Sequence, residues 1–97
     1  MTQIEKHLTI LGKNVKDKVT KLSGVATSVC FDLYGCIQVC VNPGLDKDGK
    51  PKDSNWYDAA RLQVTSDKPV MPLPFFLQGI QSEGKQGPAE KPAPGKP

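Results

Sequence analysis

The sequence predicts an all-β fold, and three observations carry that reading. Hydrophobic residues alternate with a period of two near residues 12–19 and 36–42, β-branched residues cluster between glycine-bearing turns, and Asp48-Gly49 is a hairpin signal. The chain has 97 residues, enough for one domain. A chain of that length buries only about 60% of its unfolded surface, so a thin core is expected. Hydrophobic residues are 37% of the chain, below the ~45–50% of typical domains. The shortfall is concentrated at the C-terminus, which leaves an ordinary ordered body.

In residues 12–19, Val15, Asp17 and Val19 fall on one face and Asn14, Lys16 and Lys18 on the other, as in a strand. A turn over residues 21–24 is expected next, with Gly24 supplying a positive φ. The following ValAlaThrSerValCysPhe should pair back as a second strand. A further turn at Leu33, Tyr34 and Gly35 leads into residues 36–42. There Ile37, Val39 and Val41 share one face and Cys36, Gln38 and Cys40 the other, so this strand reads as central and covered on both sides. Residues 43–54 form an exposed loop around Asp48-Gly49. Residues 55–58 make a short aromatic strand, AspAlaAlaArg closes one helical turn, and residues 62–65 form the last strand. Five short strands with this loop pattern predict a small barrel of the Src-homology-3 or Tudor type. The expected boundaries are a leader at 1–10, the barrel at 11–66, a Pro-rich extended segment with an apolar patch at 67–81, and a disordered tail at 82–97.

Thirteen basic and ten acidic residues give a formal charge of +3, too balanced for a chain that coats nucleic acid through bulk charge. Any electrostatic site must be local. No apolar run reaches the ~18 residues of a membrane span, and the opening residues lack a basic n-region and an apolar stretch, so a cytoplasmic protein without membrane contact is expected. Cys30, Cys36 and Cys40 read as reduced, buried thiols. With His7 they make a poor zinc set: there is no C-x-x-C knuckle, and Cys36 and Cys40 stand about 13 Å apart on a strand. No metal or other cofactor is implied. Asp46 to Gly49 lacks the glycine and glutamate of a calcium loop and reads as a solvated turn.

Catalysis is not expected, because His7, the single histidine, lies in the leader. Asp58 reads as the cap of the AlaAlaArgLeu turn. Tyr34, Trp56, Tyr57 and Arg61 are the candidate ligand-binding group, aromatics for stacking and a guanidinium for phosphate or carboxylate. Trp56 carries a competing reading as a core residue, since one tryptophan fills much of a thin core. Trp56 and Tyr57 are neighbours on a strand and must face opposite ways. Lys16 and Lys18 could join Lys13 and Lys21 in a basic patch, or serve as edge lysines that block strand pairing. Pro69 and Pro72 form a PxxP that is expected to pack on its own domain. The apolar residues 74–80 should pack on the barrel, form a short helix or meet a second subunit, and a homo-oligomer is the expected assembly.

LeuGlyLysAsnValLysAspLysValThrLysLeuSerGlyValAlaThrSer at 11–28, TyrGlyCysIleGln at 34–38 and TrpTyrAspAlaAlaArgLeuGlnVal at 56–64 resemble a family of small bacteriophage and prophage proteins. The resemblance covers residues 11–71. The family pattern carries glycine where Lys21 stands, so this chain departs from it at the first turn. The front half also has the rhythm of the KOW element. Small phage proteins of this size are commonly counter-defence factors, and some sequester nucleotide messengers of host immunity. The resemblance therefore implies a protein of the host cytosol that binds an anionic, nucleotide-like small molecule. The alternatives are a KOW- or Tudor-like module for nucleic acid or a host protein, and a virion or assembly component.

Overall fold

A computed structural model describes residues 3–75 of the chain. Expectations about residues 76–97, namely the end of the apolar segment and the tail, lie outside the described residues. Five strands form a single antiparallel sheet: β1 (Asn14–Asp17), β2 (Ser23–Phe31), β3 (Ile37–Asn42), β4 (Asn55–Asp58) and β5 (Leu62–Val64). A 3-10 turn at Ala59–Arg61 joins the last two. The lateral order is β4-β3-β2-β1-β5. The all-β class and the five strands match the sequence expectation, and β3 is an interior strand, paired on both edges, although β2 holds the middle of the sheet.

Closure of the barrel is not found. β4 and β5 are the two free edges of the sheet, joined through the 3-10 turn rather than by a ladder. The sheet bends at β2, where the register against β3 slips between Ala26 and Ser28 and leaves Thr27 as an extra residue. A bulge of this kind kinks its strand. The N-terminal part of β2 thereby serves β1, and its C-terminal part serves the β3–β4 hairpin.

The inner face follows from register. Val29, Val39 and Tyr57 make one cross-strand row, and Ala26, Val41 and Asn55 another. Val15, Ala26, Val39, Val41 and Leu62 are the buried apolar residues of the described structure, with Ile10, Leu22, Val29, Tyr57 and Ala59 packed around them. The core is as thin as the composition requires. Residues 3–8, read only as part of a leader, form the short helix α1 (Gln3–Leu8). Its signal was present in the spacing Ile4, His7, Leu8, Leu11.

The first turn differs from its expected form. Gly24 sits inside β2 without a positive φ, and the left-handed residue is Lys21, at φ 69°. Gly24 is required for space instead. A Cβ there would stand 2.5 Å from the Asn42 carbonyl oxygen and 2.7 Å from Cγ1 of Val41. Lys21 thus adopts the conformation that glycine takes most readily. A left-handed conformation costs an L-residue roughly 1–2 kcal/mol. Lys21→Gly is therefore expected to raise the melting temperature by about 3–6 °C in thermal unfolding, a net gain after the added freedom of the unfolded chain.

Three further expectations are corrected. Cys30 and Cys36 are exposed and Cys40 is half-buried, because one face of this single sheet has no second layer among the described residues. Trp56 is not a core residue: it is 50% exposed on the outer face of β4. Its neighbour Tyr57 takes the inner place. Asp58 flanks the 3-10 turn but makes no side-chain cap hydrogen bond.

Candidate functional site

The residues singled out from sequence fall into three separate places. The first is built on Asp17, at the end of β1 and fully buried. Its carboxylate accepts from Nε of Arg61 at 2.9 Å and from Nη2 at 2.6 Å. It also accepts from the amides of Val19 and Thr20 and from the Thr20 hydroxyl. A buried carboxylate is tolerated when charge and hydrogen bonds compensate it together. The Arg61 guanidinium first, then the three Thr20 and Val19 donors, hold this carboxyl well below the usual range against the opposing effect of burial. Asp17 in turn raises the Arg61 pKa. The guanidinium carbon lies 5.3 Å from the Tyr57 ring centroid, a cation–π contact. Arg61 and Tyr57 are therefore brought together, but around a buried carboxylate that balances the guanidinium charge.

The second place is the outer face of β2, β3 and β4. Ser28, Cys40 and Trp56 form one row across it, and Cys30, Gln38 and Asp58 the next. Tyr34 stands apart at the tip of the β2–β3 hairpin, 88% exposed beside Leu33 at 92%. That tip is held by Asp32, whose Oδ1 accepts from the Tyr34 and Cys36 amides at 2.9 and 2.8 Å. Beneath it, His7, Cys36 and Asp58 line a cleft of about 440 Å³ that the sequence reading did not foresee. The His7 ring meets Phe31 edge-on, with centroids 6.4 Å apart. Asp32 above all, then burial and Asp58, push the Cys36 thiol upward. A thiol in such negative surroundings stays protonated at neutral pH and is a weak nucleophile. Among the described residues, no group of three or more His, Cys, Asp or Glu is placed to hold a metal ion.

The third place is the outer face of β1. Lys16 is half-buried between Gln63 of β5 and Ser23 of β2, its direct cross-strand partners. Lys18 is exposed just beyond the strand, and its Nζ donates to the Ala60 carbonyl at 3.3 Å. Lys21 is exposed in the turn. Among the described residues, none of Lys13, Lys16, Lys18 and Lys21 has a carboxylate within ion-pair distance; the ion pair of this region is Arg61 with Asp17. Lys16 and Trp56 belong to rows that cross β2 at Ser23 and Ser28, about 16 Å apart along the strand. A small ligand cannot touch both on one copy of the chain.

Fold and side-chain chemistry together define, among the described residues, an open, five-stranded antiparallel domain with a thin core, a partly buried ion pair and a lysine-bearing polar face. No helix among the described residues is long and apolar enough to cross a membrane. No family model, curated protein or solved structure matches the chain.

Proposed function

We propose that this chain is a non-catalytic binding module that holds a phosphate-bearing ligand on the lysine face of β1. The position of β1 carries the reading. The strand lies between β2 and β5, so it has no open edge for Lys16 and Lys18 to protect. The edge-blocking explanation of these lysines is removed, and ammonium groups with no carboxylate partner among the described residues remain beside serine and glutamine side chains. Such a set suits an anion, because ammonium groups, hydroxyls and amides all donate to phosphate oxygens. Arg61 has a positioning role here, holding the turn that carries the Ala60 carbonyl under Lys18. In line with the phage resemblance, the ligand is a nucleotide messenger of the host, and the protein acts by sequestering it in the bacterial cytosol.

A second reading is favoured by the openness of the face. Neither described cavity is lined by Lys16, Lys18 or Trp56. An open basic surface with an exposed tryptophan farther along the sheet fits a single nucleic-acid strand, with a base stacked on Trp56. Calorimetry of the full chain against a panel of linear and cyclic nucleotides and against a single-stranded oligonucleotide separates the two. In either reading, Lys16→Ala with Lys18→Ala is expected to weaken binding at least tenfold while leaving the melting temperature within about 3 °C. For a nucleic-acid strand the loss grows as salt is lowered and Trp56→Ala also weakens binding; for a nucleotide, Trp56→Ala has no effect. Unchanged affinity in the lysine double variant rules the face out.

A further inference from the structure

We propose that the chain's own residues 76–80 dock in cis on an apolar groove beside β2. This inference is independent of the ligand reading. The groove has a volume of about 300 Å³, and Leu11, Val25, Ala26, Met71 and Leu73 line it together with Pro72 and Pro74. Thr27 also contributes to the lining, and its hydroxyl is spent on the Cys40 carbonyl. The groove offers a polar ligand little to bind and suits an aliphatic or aromatic side chain.

One wall is the irregular segment after β5. It is pinned to the domain by the Val70 amide, which donates to the Gly12 carbonyl at 2.7 Å, while the Gly12 amide donates to Ala26 at 2.8 Å. Gly12 has φ +83°, and a Cβ there would stand 3.0 Å from the Met71 carbonyl oxygen. The close approach of segment and domain is therefore built into the backbone. Met71 is 64% and Phe75 68% exposed, so this wall is open among the described residues.

The occupant is named by what comes next. Beyond Phe75 the large apolar side chains of this chain are Phe76, Leu77 and Ile80; the seventeen positions after Ile80 are Gly, Pro, Ala, Ser, Gln, Glu and Lys. Pro74 lines the groove, and Phe76 follows it by two residues in the sequence. A tether this short gives the segment an effective concentration that a second molecule at micromolar levels does not match.

The test is a mutant cycle on the full chain. Met71 is too exposed in the described structure for Met71→Ser to matter unless something covers it. With docking in cis, Met71→Ser and the pair Phe76→Ser with Leu77→Ser each lower the melting temperature by about 5 °C, and all three together lower it little further. Methyl contacts between Leu77 and Met71 or Val25 appear in nuclear Overhauser spectra of the unmodified chain. Its melting temperature does not depend on protein concentration. Independent effects, no effect, or missing methyl contacts overturn the proposal. A concentration-dependent melting temperature, with a mass that falls in the Phe76 and Leu77 variant, assigns the groove to a second copy instead and overturns docking in cis.

Discussion

Asp17→Asn is expected to be among the most damaging single substitutions in this domain, lowering the melting temperature at pH 7 by roughly 15 °C or more. The carboxylate is fully buried and meets five donor groups, two of them on Arg61. An amide presents one oxygen and an NH2 group, so at least one donor faces another donor, and the guanidinium loses its counter-charge. The pH dependence gives an independent signature. The folded carboxyl titrates well below the usual carboxylate range, so on acidification the unfolded chain takes up the proton first. This contribution is complete above about pH 5, erodes as pH falls through the ordinary carboxylate range, and is lost on approaching the folded value. Thermal unfolding from pH 7 to pH 2 should therefore show the gap between parent and variant narrowing below about pH 4. A constant gap would mean that the carboxylate is not held in this way. The same geometry makes Arg61→Ala a folding defect before it is a binding defect.

Gly24→Ala is the second large effect expected, on the order of 3 kcal/mol in denaturant unfolding. The added methyl group would meet the backbone of Asn42 at 2.5 and 2.8 Å and the Val41 side chain at 2.7 Å. Two of these contacts are with main-chain atoms that cannot rotate away. Relief requires β2 and β3 to separate beside Val15 and Val41, both fully buried. A change below about 0.5 kcal/mol would show that the sheet yields at this point.

The strands were legible because alternation is a local property. Val15 with Asp17 and Val39 with Val41 point inward as their spacing requires, and residues 55–58 form a strand as read. What the alternation could not encode was which parts of the sheet carry a second layer. Cys36, Gln38 and Cys40 read as a second covered face, but among the described residues the outer side of β3 bears only its neighbours in the sheet. Trp56 follows the same logic. Its size argued for the core, while its parity with Cys40 placed it outside and gave the inner position to Tyr57. The pairing of Asp17 with Arg61 spans 44 residues and leaves no pattern in either neighbourhood. An inward-facing aspartate between Val15 and Val19 was nevertheless visible, and a carboxylate on a buried face demands a cation. Arg61 read as a ligand-binding group because an arginine beside aromatics has the same appearance whether its anion is a ligand or a distant side chain.

The interior place of β1, between β2 and β5, also sets an order of assembly. β2, β3 and β4 follow one another through hairpin loops and can pair as soon as each is made. β1 meets β2 early, but its other side waits for β5, and Val15 finds Val64 only after the rest of the sheet has been synthesised. Contacts of such sequence separation are slow to form, since a long loop must be closed before they contribute. Until then Asp17 has no guanidinium and the β1 ladder stands open on one side. On the ribosome, the meander can thus form early, while the strand that bears the lysine face is completed last.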